Sequence, residues 1–124
     1  LVVDDVVGPD GAVYVSDQMN FRVQQFDRAG ALVRVIGGIG TSPGHFARPK
    51  GVAVDTEGHL YVVDAAFSNV QVFNGEGALL LPFGTGGRGP GTQILPLGIA
   101  ADARDRFYLV DRFNNRIQVS QYLR

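Results

Sequence analysis

The sequence predicts an all-β protein built of small stacked sheets, and three observations predict it. The chain repeats itself every 47 residues: Tyr14, Tyr61 and Tyr108 stand 47 apart (61 − 14 = 108 − 61), as do Asp17, Asp64 and Asp111, and Gln24, Gln71 and Gln118. Each repeat reads as short apolar runs rich in β-branched residues, separated by Gly, Pro, Asn and Asp, with no helical period. Runs such as GVAVD, GIAAD and LYVVD are apolar on both faces, whereas a sheet with one wet face would alternate. A sheet apolar on both sides has to lie between two others, and one repeat cannot cover itself.

The middle copy shows the elements in order. GVAVD (51–55) is the first strand, and Thr56, Glu57 and Gly58 make a turn. LYVVD (60–64) is the second strand, VQVF (70–73) the third, and Asn74 to Gly77 a second turn. ALLLPFG (78–84) is the fourth, which Pro82 marks as an edge. A loop rich in Gly and Pro then leads into the next copy. Four short strands per unit are the sequence form of one propeller blade. The chain therefore reads as about two and a half four-stranded blades: the first over about 1–49, the second over about 50–96 and the third, incomplete, over about 97–124. In the first copy Asp4 and Asp5 stand where the others have Gly-Val and Gly-Ile, so its first strand is expected to begin imperfectly.

One phrase recurs in the first and third copies: DQMNFRVQ from Asp17 and DRFNNRIQ from Asp111. The Asp ends a second strand and the Arg begins a third, so the loop between folds them together. Asp17 is expected to pair with Arg22 and Asp111 with Arg116, with Asn20 and Asn114 serving the loop backbone. Gln24, Gln71 and Gln118 are expected to bond exposed backbone or one another across blades. Groups that recur in every unit are structural before they are functional.

Composition narrows the function. Apolar residues make up 45% of 124 residues and the formal charge is −1, so no broad field gathers phosphates and nucleic acid is a disfavoured partner. There is no cysteine, which removes disulfides, thiolate metal sites and thiol nucleophiles. No run approaches a membrane span, and LVVDDVVGPDG lacks the basic head and apolar stretch of a signal peptide. The chain opens on Leu in strand-like sequence, which reads as a processed product or a piece of something longer.

Two motif matches fail on context. Gly40-Thr-Ser42-Pro-Gly44 matches a nucleophile elbow but is followed by loop rather than helix. Gly84-x-Gly86-x-x-Gly89 matches a dinucleotide fingerprint but runs into Pro90. The two histidines, His45 and His59, cannot make a three-histidine site, and His59, just after a turn glycine, is expected to face solvent. Asp55 and Asp102 end first strands at matching positions and are the only metal candidates, for calcium through oxygen ligands; otherwise no cofactor is expected and no catalytic residue is assigned.

The usual propeller path puts the loops between blades and the loops between second and third strands on one face. That face would carry Met19, Phe21, His45, Phe46, Arg48, Phe67, Arg88, Arg112, Phe113 and Asn115. Phe21, Phe67 and Phe113 are spaced by 46 (67 − 21 = 113 − 67) and are read as occupying nearly the same place in each unit. Aromatics beside arginines can grip a ligand, or can tuck between blades as packing.

The pattern PKGVAVDTEGHLYVVD, followed by Asn-x-Arg-Val/Ile-Gln and a terminal Phe-Gly, resembles the NHL repeat over nearly the whole chain. The resemblance implies a β-propeller ring of about six blades, of which this chain supplies a segment. It does not fix a function, because the family spans several; the reading adopted is a non-catalytic binding or scaffold module that recognises a protein, peptide or glycan ligand through the loop face. Alternatives within the same resemblance are a lyase- or hydrolase-type propeller with a metal in the central channel, and an RNA-binding module. The family's bacterial members point to an extracellular or periplasmic setting. Closure of the ring implies self-association or further blades of a longer chain.

Overall fold

The structure, a computed structural model, describes residues 2–38, 44–83, 96–111 and 116–121. Strands β1 (Val2–Val7), β2 (Val13–Asp17), β3 (Arg22–Phe26) and β4 (Leu32–Gly37) form the first sheet. Strands β5 (Pro49–Val54), β6 (Leu60–Asp64), β7 (Asn69–Phe73) and β8 (Leu79–Phe83) form the second, and β9 (Pro96–Ala101), β10 (Arg106–Asp111) and β11 (Arg116–Gln121) the third. Each sheet is an antiparallel meander in chain order, with Pro82 on the outer strand β8. A 3-10 turn, Gln18–Asn20, joins β2 to β3.

The hairpin turns explain why Asp, Asn and Gly punctuate the repeat. In four of them one side-chain oxygen receives the amides two and four residues on: Asp27 from Ala29 and Ala31, Asp55 from Glu57 and His59, Asn74 from Glu76 and Ala78, and Asp102 from Arg104 and Arg106, all at 2.9–3.0 Å. The residue three after the turn-former has a left-handed backbone: Gly30, Gly58, Gly77 and, at φ 60°, Asp105. The first hairpin is the variant. Gly8 stands in the turn-former's place, and Asp10 takes the Ala12 amide instead.

Among the described residues the first strands β1, β5 and β9 are neighbours, and β2 also lies against β5 and β6 against β9. The sheets therefore fan outward from a shared inner edge, face against face, as propeller blades do. Between the first two sheets lie Tyr14, Val23, Ile36, Phe46, Val52, Leu60, Val62 and Phe73. Between the second and third lie Ala53, Tyr61, Val63, Val70, Val72, Ile99, Phe107 and Leu109. The middle sheet is thus covered on both sides. Val62 and Val63, adjacent in β6, are each 0% exposed on opposite faces. Burying such a side chain contributes about 1.5–3 kcal/mol.

Two details correct the sequence reading. Asp4 is not a flaw in β1. All three first strands are irregular at the same place, at Val2/Asp4, at Pro49/Val52 and opposite Val110/Asp111, and the Asp4 carboxylate crosses to accept the Val52 amide at 3.1 Å. Ser16 reinforces that link by donating to the Lys50 carbonyl at 2.8 Å. Phe46 is a core residue, not a loop-face one. It is fully buried and meets Phe73 edge to face at 5.7 Å. Gly37, at φ 87°, makes room for it, since a Cβ there would lie 2.3 Å from the Phe46 ring.

Candidate functional site

Each sheet has two ends. The hairpin turns occupy one, and the β2–β3 loop (18–21), the β6–β7 loop (65–68) and the inter-sheet connection (44–48) occupy the other. Two buried side chains lock this loop end. Asp64, wholly buried at the end of β6, accepts amides from Ala47 at 2.8 Å and Arg48 at 3.2 Å in the connection, and from Ala66 at 3.0 Å and Phe67 at 3.2 Å in its own loop. Gln71, 1% exposed in β7, accepts from the Gly44 amide at 2.8 Å and donates to the His45 carbonyl at 2.9 Å. The Ala65 amide closes on the Arg48 carbonyl at 3.0 Å. The connection and the loop are thereby one rigid piece. Gln71 bonds backbone, the first of the two arrangements expected for the repeat glutamines.

In the first sheet the matching aspartate, Asp17, accepts from Asn20 Nδ2 at 2.8 Å and Arg22 Nε at 3.2 Å. The Asn20 amide above all, with the Arg22 guanidinium among the smaller contributions, holds its carboxyl below the ordinary range against a partial desolvation. Backbone pairing sets Asp111 opposite Arg116 in the third sheet; the side chains of those two residues, and all of Arg88, Arg112, Phe113 and Asn115, lie outside the described residues.

Of the remaining loop-face candidates, Met19 is 65% exposed, His45 and Arg48 are exposed, and Phe21 and Phe67 are half-buried. The two phenylalanines do not share a position. Phe21 sits in the left-handed place that Ser68 fills in the next loop, with φ 57° and 53° respectively. Phe67 stands one residue earlier, at the place of Asn20. The 46-residue spacing is one short of the repeat, and the missing residue moves the ring around the loop.

The turn end carries the metal candidates, and the structure puts their oxygens to other uses. Asp55, 2% exposed, receives two turn amides, His59 Nδ1 at 2.7 Å and the Tyr61 hydroxyl at 3.2 Å. Asp102 receives two turn amides, Arg106 Nε at 2.8 Å and the Tyr108 hydroxyl at 2.9 Å. For Asp102 partial desolvation pushes upward, but the backbone amides of Arg106 and Arg104, with the Tyr108 and Arg106 side chains, outweigh it and hold the carboxyl well below its usual range. Its bond to Tyr108 raises that phenol. Among the described residues no three His, Asp or Glu side chains gather as a metal set. His59 corrects the expectation of a solvent-facing ring: its side chain is 19% exposed and clamped to Asp55. It does for the second sheet what Arg106 does for the third.

Sequence reasoning missed the tie between the second and third sheets. Asp105, 2% exposed, accepts the Thr56 amide and hydroxyl, both at 2.8 Å. The available signal was its place: Asp105 holds the position of Gly11 and Gly58, where a left-handed backbone makes any side chain an exception.

With this geometry in hand, comparison places the chain. The NHL repeat family matches residues 46–73, the second-sheet core from Phe46 to Phe73. No curated protein matches the sequence. Solved structures similar to it are propellers. One is a structural genomics protein of unknown function from Bacteroides thetaiotaomicron, at TM-score 0.72 and 19% identity over 90% of this chain and 33% of that one. Another is a catalytically inactive virginiamycin B lyase from Staphylococcus aureus solved with quinupristin, at TM-score 0.70 and 12% identity over 98% of this chain and 41% of that one. A third is the WD40 repeats of RRP9, at TM-score 0.69 and 18% identity over 98% of this chain and 38% of that one. The chain spans well under half the length of each. At these identities the likeness shows the fold alone, that of a β-propeller segment. Among the described residues no helix is long and apolar enough to cross a membrane.

Proposed function

We propose that this chain is a non-catalytic recognition module whose loop end binds a protein or peptide. The observation that carries the reading is the locking of residues 44–48 against residues 65–68 by Asp64 and Gln71. Rigid elements that hold loops in place are the normal basis of recognition, and a ligand meeting them loses little to loop ordering. Met19 offers an adaptable apolar contact. Arg48 and His45 offer donors, and the half-buried faces of Phe21 and Phe67 lie in the same loops. The chemistry suits a peptide with an apolar anchor and an acidic neighbour.

The test is selection of peptides from a random library on the immobilised chain, with affinities then measured on variants. Met19→Asp and Arg48→Glu are each expected to weaken the selected peptides tenfold or more, as interface anchors do. Glu57→Gln, at the turn end, is expected to change nothing. Peptides that ignore Met19→Asp and Arg48→Glu, or a library that yields no binder, would defeat the reading.

A further inference from the structure

The two end sheets each leave one apolar face open among the described residues, and the 47-residue register says what each face is for. On the third sheet the open face carries Tyr108, Val110, Ile117 and Val119, of which Ile117 is 65% and Val119 59% exposed. Their counterparts one repeat earlier are Tyr61, Val63, Val70 and Val72, the face with which the middle sheet receives the third. On the first sheet the open face carries Val7, Val13, Val15, Phe26 and Leu32, of which Val7 is 65% and Leu32 53% exposed. Their counterparts one repeat later are Val54, Leu60, Val62, Phe73 and Leu79, the face with which the middle sheet meets the first. The open faces are thus the two complementary halves of an interface that this chain already makes twice.

We propose that a second copy of this chain docks on these faces head to tail, the third sheet of each copy lying on the first sheet of the other. The contact would continue the internal stacking of the sheets. Two copies bring six sheets, within the four to eight blades that close a propeller, and two such contacts close the pair rather than letting it grow as a filament. One residue makes the contact weaker than the internal ones. Asp5 stands on the first-sheet face at the place of Val52, which is 3% exposed in the core, and a carboxylate there is costly to cover.

Sedimentation of the 124-residue chain tests this. The expected mass is two copies, 2 × 13.3 = 26.6 kDa. Ile117→Asp alone and Leu32→Asp alone should each be monomeric, because each damages both contacts of the closed pair. Mixed, the two variants should associate one to one through the single contact that neither damages. Both side chains are exposed, so the strand signal in circular dichroism should not change. Should either variant misfold, Val119→Asp and Val7→Asp replace them. Asp5→Val should tighten the pair about tenfold or more. A 13.3 kDa monomer at every concentration, as expected if blades of a longer chain cover these faces instead, overturns the proposal. So does a mass that climbs past two copies. So does a pair broken by Ile117→Asp but untouched by Leu32→Asp, which would mean like faces meeting like.

Discussion

Phe73 in the middle sheet and Phe26 in the first hold the same place in the repeat, yet Phe73 is 1% exposed and Phe26 is half-buried. The same contrast runs through the two sheets. Every residue of β6 is buried, whereas β2 alternates until its last two residues. Local sequence and strand pairing are alike, so the difference comes from what lies on either side. In a stacked repeat the position within the unit decides where a side chain points. The position of the unit within the stack decides how much that side chain contributes.

The largest test of this contrast is Phe73→Ala, which removes a fully packed ring that also supports Phe46. It should cost about 3–5 kcal/mol, as such truncations do, while Phe26→Ala should cost less than half as much. Urea unfolding of both variants measures it, and equal losses would contradict it. Next comes the pair of loop aspartates. Asp64→Ala strands four backbone amides around a wholly buried site and should cost about 3 kcal/mol. Asp17→Ala breaks contacts to Asn20 and to a partly exposed Arg22 and should cost about 1 kcal/mol. The same unfolding curves separate them.

A smaller effect sharpens the contrast between the two sheet interfaces. Asp105→Gly relieves a left-handed aspartate but removes two bonds to Thr56. The first term favours the variant by about 1 kcal/mol and the second disfavours it by more, so a net loss of about 1 kcal/mol is expected. A double-mutant cycle with Thr56→Val should show coupling of that order. The smallest effect has the opposite sign. The first hairpin has Gly8 where the other two have the aspartate that holds a tyrosine hydroxyl. Gly8→Asp would place a carboxylate for Tyr14, and its Cβ would meet the Asp10 side chain at 3.3 Å, Val54 at 3.5 Å and the Ala12 carbonyl oxygen at 3.7 Å. A gain of about 1 kcal/mol is expected. Thermal melting reads it, and a loss would mean that the turn tolerates no side chain at that point.

Much of the fold was legible because the repeat writes it three times. The strands, their order, the edge role of Pro82 and the two-sided burial of the middle sheet follow from the 47-residue columns and the apolar runs. What stayed hidden were contacts between units. Phe46 occurs in a loop rich in Gly and Pro and gives no periodic sign of being core; only the stack shows that it fills the gap above Phe73 that Gly37 leaves open. Asp4 read as a departure from the repeat and Asp105 went unread, and both turn out to be hydrogen-bond ties to a neighbouring sheet. His59 read as a surface residue because its partner, Asp55, lies across a turn whose shape comes from backbone bonds. Of the loop face, the sequence indicated the end of the sheet and the residue types there. It did not show that a 46-residue interval in a 47-residue repeat would shift Phe67 out of the place of Phe21.

The central claim, that the middle sheet is covered on both faces, is tested most directly by amide hydrogen exchange in the Ile117→Asp chain, where no second copy covers the ends. Strands β2, β6 and β10 each lie between two partners in their own sheets, so they differ in stacking and not in strand pairing. The amides of β6 should exchange roughly tenfold or more slowly than those of β2 and β10. Equal protection in the three strands, or greater protection in β2 or β10, would contradict the stack.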